Sequence, residues 1–238
     1  MFGILFLPLL IGMGIWQLQR AAEKENALTQ FNEQLQKAPV DWEGLDLNPQ
    51  RFQQLQLTGS YAIKGDWLLD NQVHIGQFGY RVFTPFCRMN NCILVDRGWT
   101  KGDLDRRVLP DIPEPEGIVT IIGRLDKSTQ NPVSGKDEPQ NISPFRVQQI
   151  NLGSVREYLE LQRKEHPNSL QNPATPTTSA TLYPWILRLE REQPGHFTVA
   201  WQPVVTGPEK HYGYAFQWFA MAIVLIILLF MTALKNRP

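Results

Sequence analysis

Cysteine is scarce in this 238-residue chain, with two residues, and net charge is absent: 23 basic side chains balance 23 acidic ones. A neutral chain with no dense Lys/Arg cluster argues against a nucleic-acid partner, because phosphate binding needs a basic face. Acidic and basic residues are interleaved instead, as on a solvated surface. No GxSxG, P-loop, GxGxxG or HExxH pattern occurs, so no enzyme class announces itself. The four histidines, His74, His166, His196 and His211, are scattered without the local spacing of a metal site. Asp and Glu form no recognisable catalytic pair, and no internal repeat is visible. The expectation is a protein that is not an enzyme.

What the chain does have is two apolar ends around a polar middle. Residues 221–234 are almost unbroken hydrocarbon, reached through His211-Tyr212-Gly213-Tyr214-Ala215-Phe216-Gln217-Trp218-Phe219. Residues 1–18 mirror them and leave through Trp16-Gln17-Leu18-Gln19-Arg20. A helix rises about 1.5 Å per residue and the hydrocarbon core is roughly 30 Å thick, so about 20 residues span it. Residues 213–234 suffice, and residues 1–18 span if Gln17 and Gln19 sit among the headgroups. The first run lacks a basic n-region and a small-residue cleavage site, which favours a retained anchor over a signal peptide. The expected organisation is a transmembrane helix over 1–18, an extramembrane domain over 19–211 and a second transmembrane helix over 212–234. The lipid bilayer is then one partner, and both termini share one side. Lys235 and Arg237 favour a cytoplasmic C-terminus. Arg20, Lys24 and Lys210 pull the other way, so charge alone leaves the orientation open.

Between the spans, the fold class reads as α+β. Residues 21–36, rich in Ala, Glu, Gln and Leu, continue the first helix until Pro39 stops it. Strands are expected over 52–61, 67–71, 80–87, 92–99, 118–125, 185–190 and 197–201, mostly antiparallel because short turns join them. The four-residue connection Arg88-Met89-Asn90-Asn91 reads as a hairpin, and the last pair as turning at Pro194-Gly195. Pro85 puts its strand at an edge or a bulge. Residues 152–162 suggest a short helix, while 128–144 and 165–181 read as loops.

Three groups of residues carry the candidate chemistry. Cys87 and Cys92 face each other across the hairpin, where a disulfide ranks ahead of two packed thiols and well ahead of a metal site. Asp96-Arg97-Gly98-Trp99 ends a strand. Its Arg97 and Trp99 either complete the core edge or form a patch for a partner. His211 is followed on one helix face by Tyr214, Ala215, Trp218 and Ala222, with Trp16 and Gln17 of the first helix at similar depth. That cluster is either an aromatic belt at the headgroup level or an imidazole offering its nitrogen to a metal or haem iron.

Taken together, Gly14-Ile15-Trp16-Gln17-Leu18-Gln19-Arg20 with Lys24, Gly59-Ser60-Tyr61, Gly79-Tyr80-Arg81-Val82-Phe83-Thr84-Pro85, Val95-Asp96-Arg97-Gly98-Trp99 and the 211–220 segment resemble the Surfeit locus protein 1 family. This is the family of cytochrome c oxidase assembly factors known in yeast as the Shy protein. The resemblance implies two membrane spans with both termini cytoplasmic and the central domain periplasmic, in the inner (cytoplasmic) membrane. It implies a chaperone of respiratory-chain biogenesis that works with oxidase subunit I and other oxidase assembly factors while haem a is inserted. His211 is then the candidate ligand of the haem iron, with Trp16, Tyr214 and Trp218 as walls of the cofactor site. Arg97, Trp99, Gln17 and Arg20 are the candidate partner contacts. The alternative within the same family role is a protein-binding scaffold that stabilises an oxidase intermediate without touching haem.

Overall fold

The computed structural model describes residues 2–42, 49–62, 65–89, 91–103, 105–127, 143–165 and 181–235. Within them the chain forms a mixed α+β protein that divides into two compact units. One comprises residues 1–33 and 202–238, and the other residues 34–201. Residues 19–33 and 202–211, expected with the β domain, therefore group with the helical ends. Most of the two expected loops, 128–142 and 166–180, lies outside the described residues.

Helix α1 (Phe2–Leu35) is continuous over 34 residues, so the apolar start and the Ala/Glu/Gln-rich stretch form one element. Pro8 lies inside it, and the helix ends four residues before Pro39. Helix α3 (Pro208–Lys235) opens with Pro in its first turn, where the missing N–H costs no helical bond. Glu209 in that turn and Lys235 in the last complement the helix dipole. Among the described residues α3 is the one helix long and apolar enough to cross a membrane, with a mean hydropathy of 2.4.

The second unit is a sheet of β1 (Val40–Asp41), β2 (Gln54–Tyr61), β3 (Trp67–His74), β4 (Gln77–Arg88), β5 (Asn91–Lys101), β6 (Val119–Asp126), β7 (Phe145–Val147) and β8 (Thr181–Leu189), with helix α2 (Leu152–Glu165) before its last strand. The order is β1-β2-β6-β8-β5-β4-β3-β7, and β2 also pairs β4 through Ser60–Cys87 and Tyr61–Phe86. That extra pairing closes β2, β6, β8, β5 and β4 into a five-stranded ring. All five strands contribute to one apolar cluster, including Leu57, Phe86, Val95, Ile121 and Leu187, which fills the ring. Alternate residues of the same strands, such as Leu94 and Ile186, face a second cluster that takes in Val155 and Leu159 of α2. Strand β5 is consequently buried on both faces, and its run of Cys92-Ile93-Leu94-Val95 suits that position.

The sheet is mainly antiparallel, as expected, and takes in the parallel pairings β1–β2, β3–β7 and β5–β8. Other local expectations need correction. Pro85 sits in a central strand, where β4 changes partners: β3 pairs it up to Phe83 and β2 takes over at Phe86. A residue without an N–H fits that gap. Residues 197–201 form no strand with 185–190. Strand β8 instead starts at Thr181 and lies between β5 and β6. Residues 197–198 join β5 through three backbone hydrogen bonds, Phe197 N–H to Arg97 O, Trp99 N–H to Thr198 O and Thr198 N–H to Trp99 O.

Cys87 and Cys92 stand opposite each other in the β4–β5 register and are joined by a disulfide. Both are buried. The natively folded protein is therefore expected to take up no alkylating reagent until reductant is added, read by mass spectrometry; labelling without reductant would contradict the bond. The loop it closes is short, so reduction should lower stability by about 2 kcal/mol in chemical denaturation.

Candidate functional site

Strand β5 carries a bulge at its end, and the bulge determines what its charged residues do. Gly98 pairs Val82 while Asp96 pairs Phe83, which leaves Arg97 as the extra residue. Gly98 has φ +111°, and a Cβ there would lie 2.7 Å from Thr198 O. Only glycine fits that position. Asp96 Oδ1 accepts the Gly98 N–H at 3.1 Å. A bulge re-aims a side chain, and here it sends Arg97 inward until only 1% of it is exposed.

Every face of that guanidinium is used. Its Nε donates to Gly195 O at 2.8 Å, one terminal nitrogen donates to Pro113 O, and the other lies 3.3 Å from Thr84 Oγ1 and 3.4 Å from Asp66 Oδ1. The rings of Tyr61 and Phe197 sit 5.0 Å from it on either count. Thr84 Oγ1 donates to the same Asp66 oxygen. Burial pushes the Asp66 carboxyl up to about 6, although Thr84 and Arg97 both pull it down. Burial likewise raises the Tyr61 phenol, which donates to Pro194 O at 2.9 Å. Trp99 is buried beside this group and donates its indole N–H to Gln72 O at 2.9 Å.

A second charged group belongs to the other face of the sheet. Arg188 bonds Asp96 and, at 3.1 Å, Asp126; Arg81 bonds Asp96; Arg51 bonds Asp126 at 2.8 Å. Burial lowers the proton affinity of Arg188, opposed by Asp126. Of the two readings of Arg97 and Trp99, core edge or partner patch, the structure shows the first: both turn inward and bind the chain itself. Asp66, Thr84 and Arg188 gave no local motif, because they meet only across strands.

The helical unit has a different logic. On α1 the more buried positions recur at Leu10, Gly14, Gln17, Ala21, Lys24 and Leu28. On α3 they recur at Pro208, His211, Ala215, Trp218, Ala222 and Leu225. Alternating steps of three and four on both helices are the pattern of a coiled-coil seam. Contacts across it run antiparallel. Gly14 lies against Phe219, so closely that a Cβ would stand 2.6 Å from the ring. His211 Nδ1 is 2.8 Å from Gln17 Oε1, and Tyr212 Oη donates to Glu25 at 2.9 Å.

The sequence-derived residues separate on this seam. His211 and Trp218 face inward, half-buried, and Gln17 is buried against His211 rather than turned toward a partner. Tyr214 is 51% exposed, because the seam continues from His211 at steps of four and seven rather than three. Trp16 is also exposed, with the Arg20 guanidinium 5.6 Å from its ring, and Arg20 pairs Glu23 at 2.7 Å. The Gln17–His211 bond was missed in the sequence. Its signal was present: Gln17 falls three residues after Gly14 and four before Ala21, on a face of small residues.

A β domain linked to an apolar helix long enough to cross a membrane defines a membrane-associated α+β protein. No cluster of His, Cys, Asp and Glu suited to a metal ion occurs among the described residues. The SURF1 family pattern matches residues 4–223, nearly the whole length, and the chain belongs to the SURF1 family. That family is linked to cytochrome c oxidase assembly and is not a catalytic one. No curated protein matched the chain.

The Asp66 environment makes stability depend on pH. Its folded carboxyl, at about 6, lies above the roughly 3.9 of an unfolded aspartate. The folded state therefore holds a proton that the unfolded chain releases, and stability falls as pH rises through that window. Denaturation midpoints of the detergent-solubilised protein should drop between about pH 4 and pH 6, by up to about 3 kcal/mol from this group. Asp66→Asn should flatten that part of the profile; an unchanged slope would contradict the assignment.

Proposed function

We propose that this protein is a membrane-anchored assembly factor for haem-copper cytochrome c oxidase that assists haem a insertion into subunit I. The observation that carries the reading is the His211–Gln17 pair. An amide oxygen only accepts, so a bond from Nδ1 to Gln17 Oε1 puts the proton on Nδ1 and leaves the Nε2 lone pair uncommitted. A half-buried imidazole at the approach to an apolar helix, with Nε2 unbonded among the described residues and Trp218 on the same seam, would supply a nitrogen to haem iron. Haem a is amphipathic with a long apolar tail, so a site at the bilayer boundary suits it. The group supplies its own redox and ligand chemistry when bound; the chain supplies one nitrogen, an apolar wall and orientation. Trp16 and Tyr214, more exposed, would meet the tail at the rim.

The reading takes α1 as a second span, with its start alongside α3. Phe6, Leu9, Ile11 and Ile15 point apolar side chains outward, as lipid-facing residues do, and Pro8 is tolerated in such helices. Both termini are then cytoplasmic and the β domain periplasmic, in the inner membrane. The domain's exterior, rather than Arg97 or Trp99, carries the contacts to subunit I and to other assembly factors.

Two measurements test this. A reporter active only in the periplasm, inserted near Asn172 outside the described residues, should function; activity of a cytoplasm-only reporter there would reverse the topology. Protein purified from cells that make haem a should show a Soret band, and His211→Ala should lose most of it while inserting and folding as before. A colourless wild-type protein would leave the protein-binding scaffold, and a His211→Ala spectrum equal to wild type would remove His211 as ligand.

A further inference from the structure

Gln17 is polar, buried and placed in the apolar half of a seam where Gly14, Ala215 and Ala222 are small. An unpaired amide at such depth is costly, and its partner is His211. The register that brings the two together is fixed on both sides. Toward the membrane, Gly14 admits the Phe219 ring; away from it, Glu25 accepts from Tyr212. The pairing is therefore not a chance meeting of two surface side chains.

We infer that Gln17 is the positioning residue for His211: it holds the imidazole as the Nδ1–H tautomer, fixes its ring plane and presents Nε2 as the lone pair. An imidazole has one donor and one acceptor when neutral, and the bond at one nitrogen decides the role of the other. Partners of this kind orient ligating histidines and raise their basicity, and losing one typically costs 10–100-fold in affinity for the ligated metal. The tautomer statement concerns this chain alone; the statement about affinity rests on the haem reading above.

The experiment separates the two. Imidazole nitrogen-15 NMR on the full-length protein in detergent, with ring-labelled histidine and His211→Ala for assignment, reads which nitrogen carries the proton. Wild type should show a protonated Nδ1 and a bare Nε2. Gln17→Leu, which fills the site without an acceptor, should lose that preference, and Gln17→Glu, which keeps an acceptor oxygen, should retain it. A wild-type His211 protonated at Nε2 overturns the inference even if every variant misfolds, and so does a folded Gln17→Leu protein with an unchanged tautomer. In parallel, titration of the same proteins with haem a should show retention weakened on the order of 10–100-fold in Gln17→Leu and restored in Gln17→Glu. If the tautomers behave as stated and none of the proteins takes up haem a, the positioning role stands and the haem reading fails. Equal haem retention by wild type and Gln17→Leu would overturn the positioning role toward haem.

Discussion

The β domain depends on one buried guanidinium. Arg97 is the extra residue of a bulge, and it gathers Tyr61 from β2, Asp66 from the turn before β3, Thr84 from β4, Pro113 from the segment after β5, and Gly195 and Phe197 from the segment after β8. A charge so buried is tolerable only because each of its nitrogens has an acceptor and the rings of Tyr61 and Phe197 lie close to it. Removing it would strand the Asp66 carboxyl and several carbonyls, a loss on the order of 3–5 kcal/mol. Such a network contributes less to net stability than to uniqueness, since only one arrangement of these segments satisfies all its members. It accounts for the neighbouring residues too. Gly98 is required by the bulge, Asp96 caps it, and Trp99 closes it against Gln72.

The helical unit applies the opposite economy. Its seam is lined by small residues and carries a polar pair, buried Gln17 with half-buried His211. Where the β domain hides a hydrogen-bonded charge, the helices engage one nitrogen of an imidazole, Nδ1, and leave the other without a bond among the described residues. The two units thus differ in kind: one holds its buried guanidinium in an internal network, the other pairs an amide with an imidazole between two helices.

Legibility in the sequence followed the range of the interactions. Strands β2, β4, β5 and β6 were visible because period-two patterning and turn residues are local, and the helix over 152–165 showed itself in the same way. The ring closure was not, because the Tyr61–Phe86 pairing leaves no mark in either segment. Residues 197–201 misled for a related reason: Phe197-Thr198-Val199 has strand composition, yet tertiary contact with the bulge holds it as a clamp. Arg97 and Trp99 allowed two readings from residue type, a completed core edge or a partner patch, and burial shows the first. In the helices, Ala215, Trp218 and Ala222 were legible on the His211 face from their spacing, and Tyr214, three residues from His211, is the one member of that set the seam leaves exposed.

The small residues of the seam bear on how firmly the helices are joined. In hydrocarbon no apolar driving force holds two helices together; close packing and interhelical hydrogen bonds do, and one such bond is worth about 1 kcal/mol. That is roughly a factor of five in an equilibrium. A third helix offering its own small face and a hydrogen-bonding side chain would compete for either half of the pair at little cost. On the proposed two-span topology, the joint that keeps His211 in place is thus of the kind that can trade partners within the plane of a membrane.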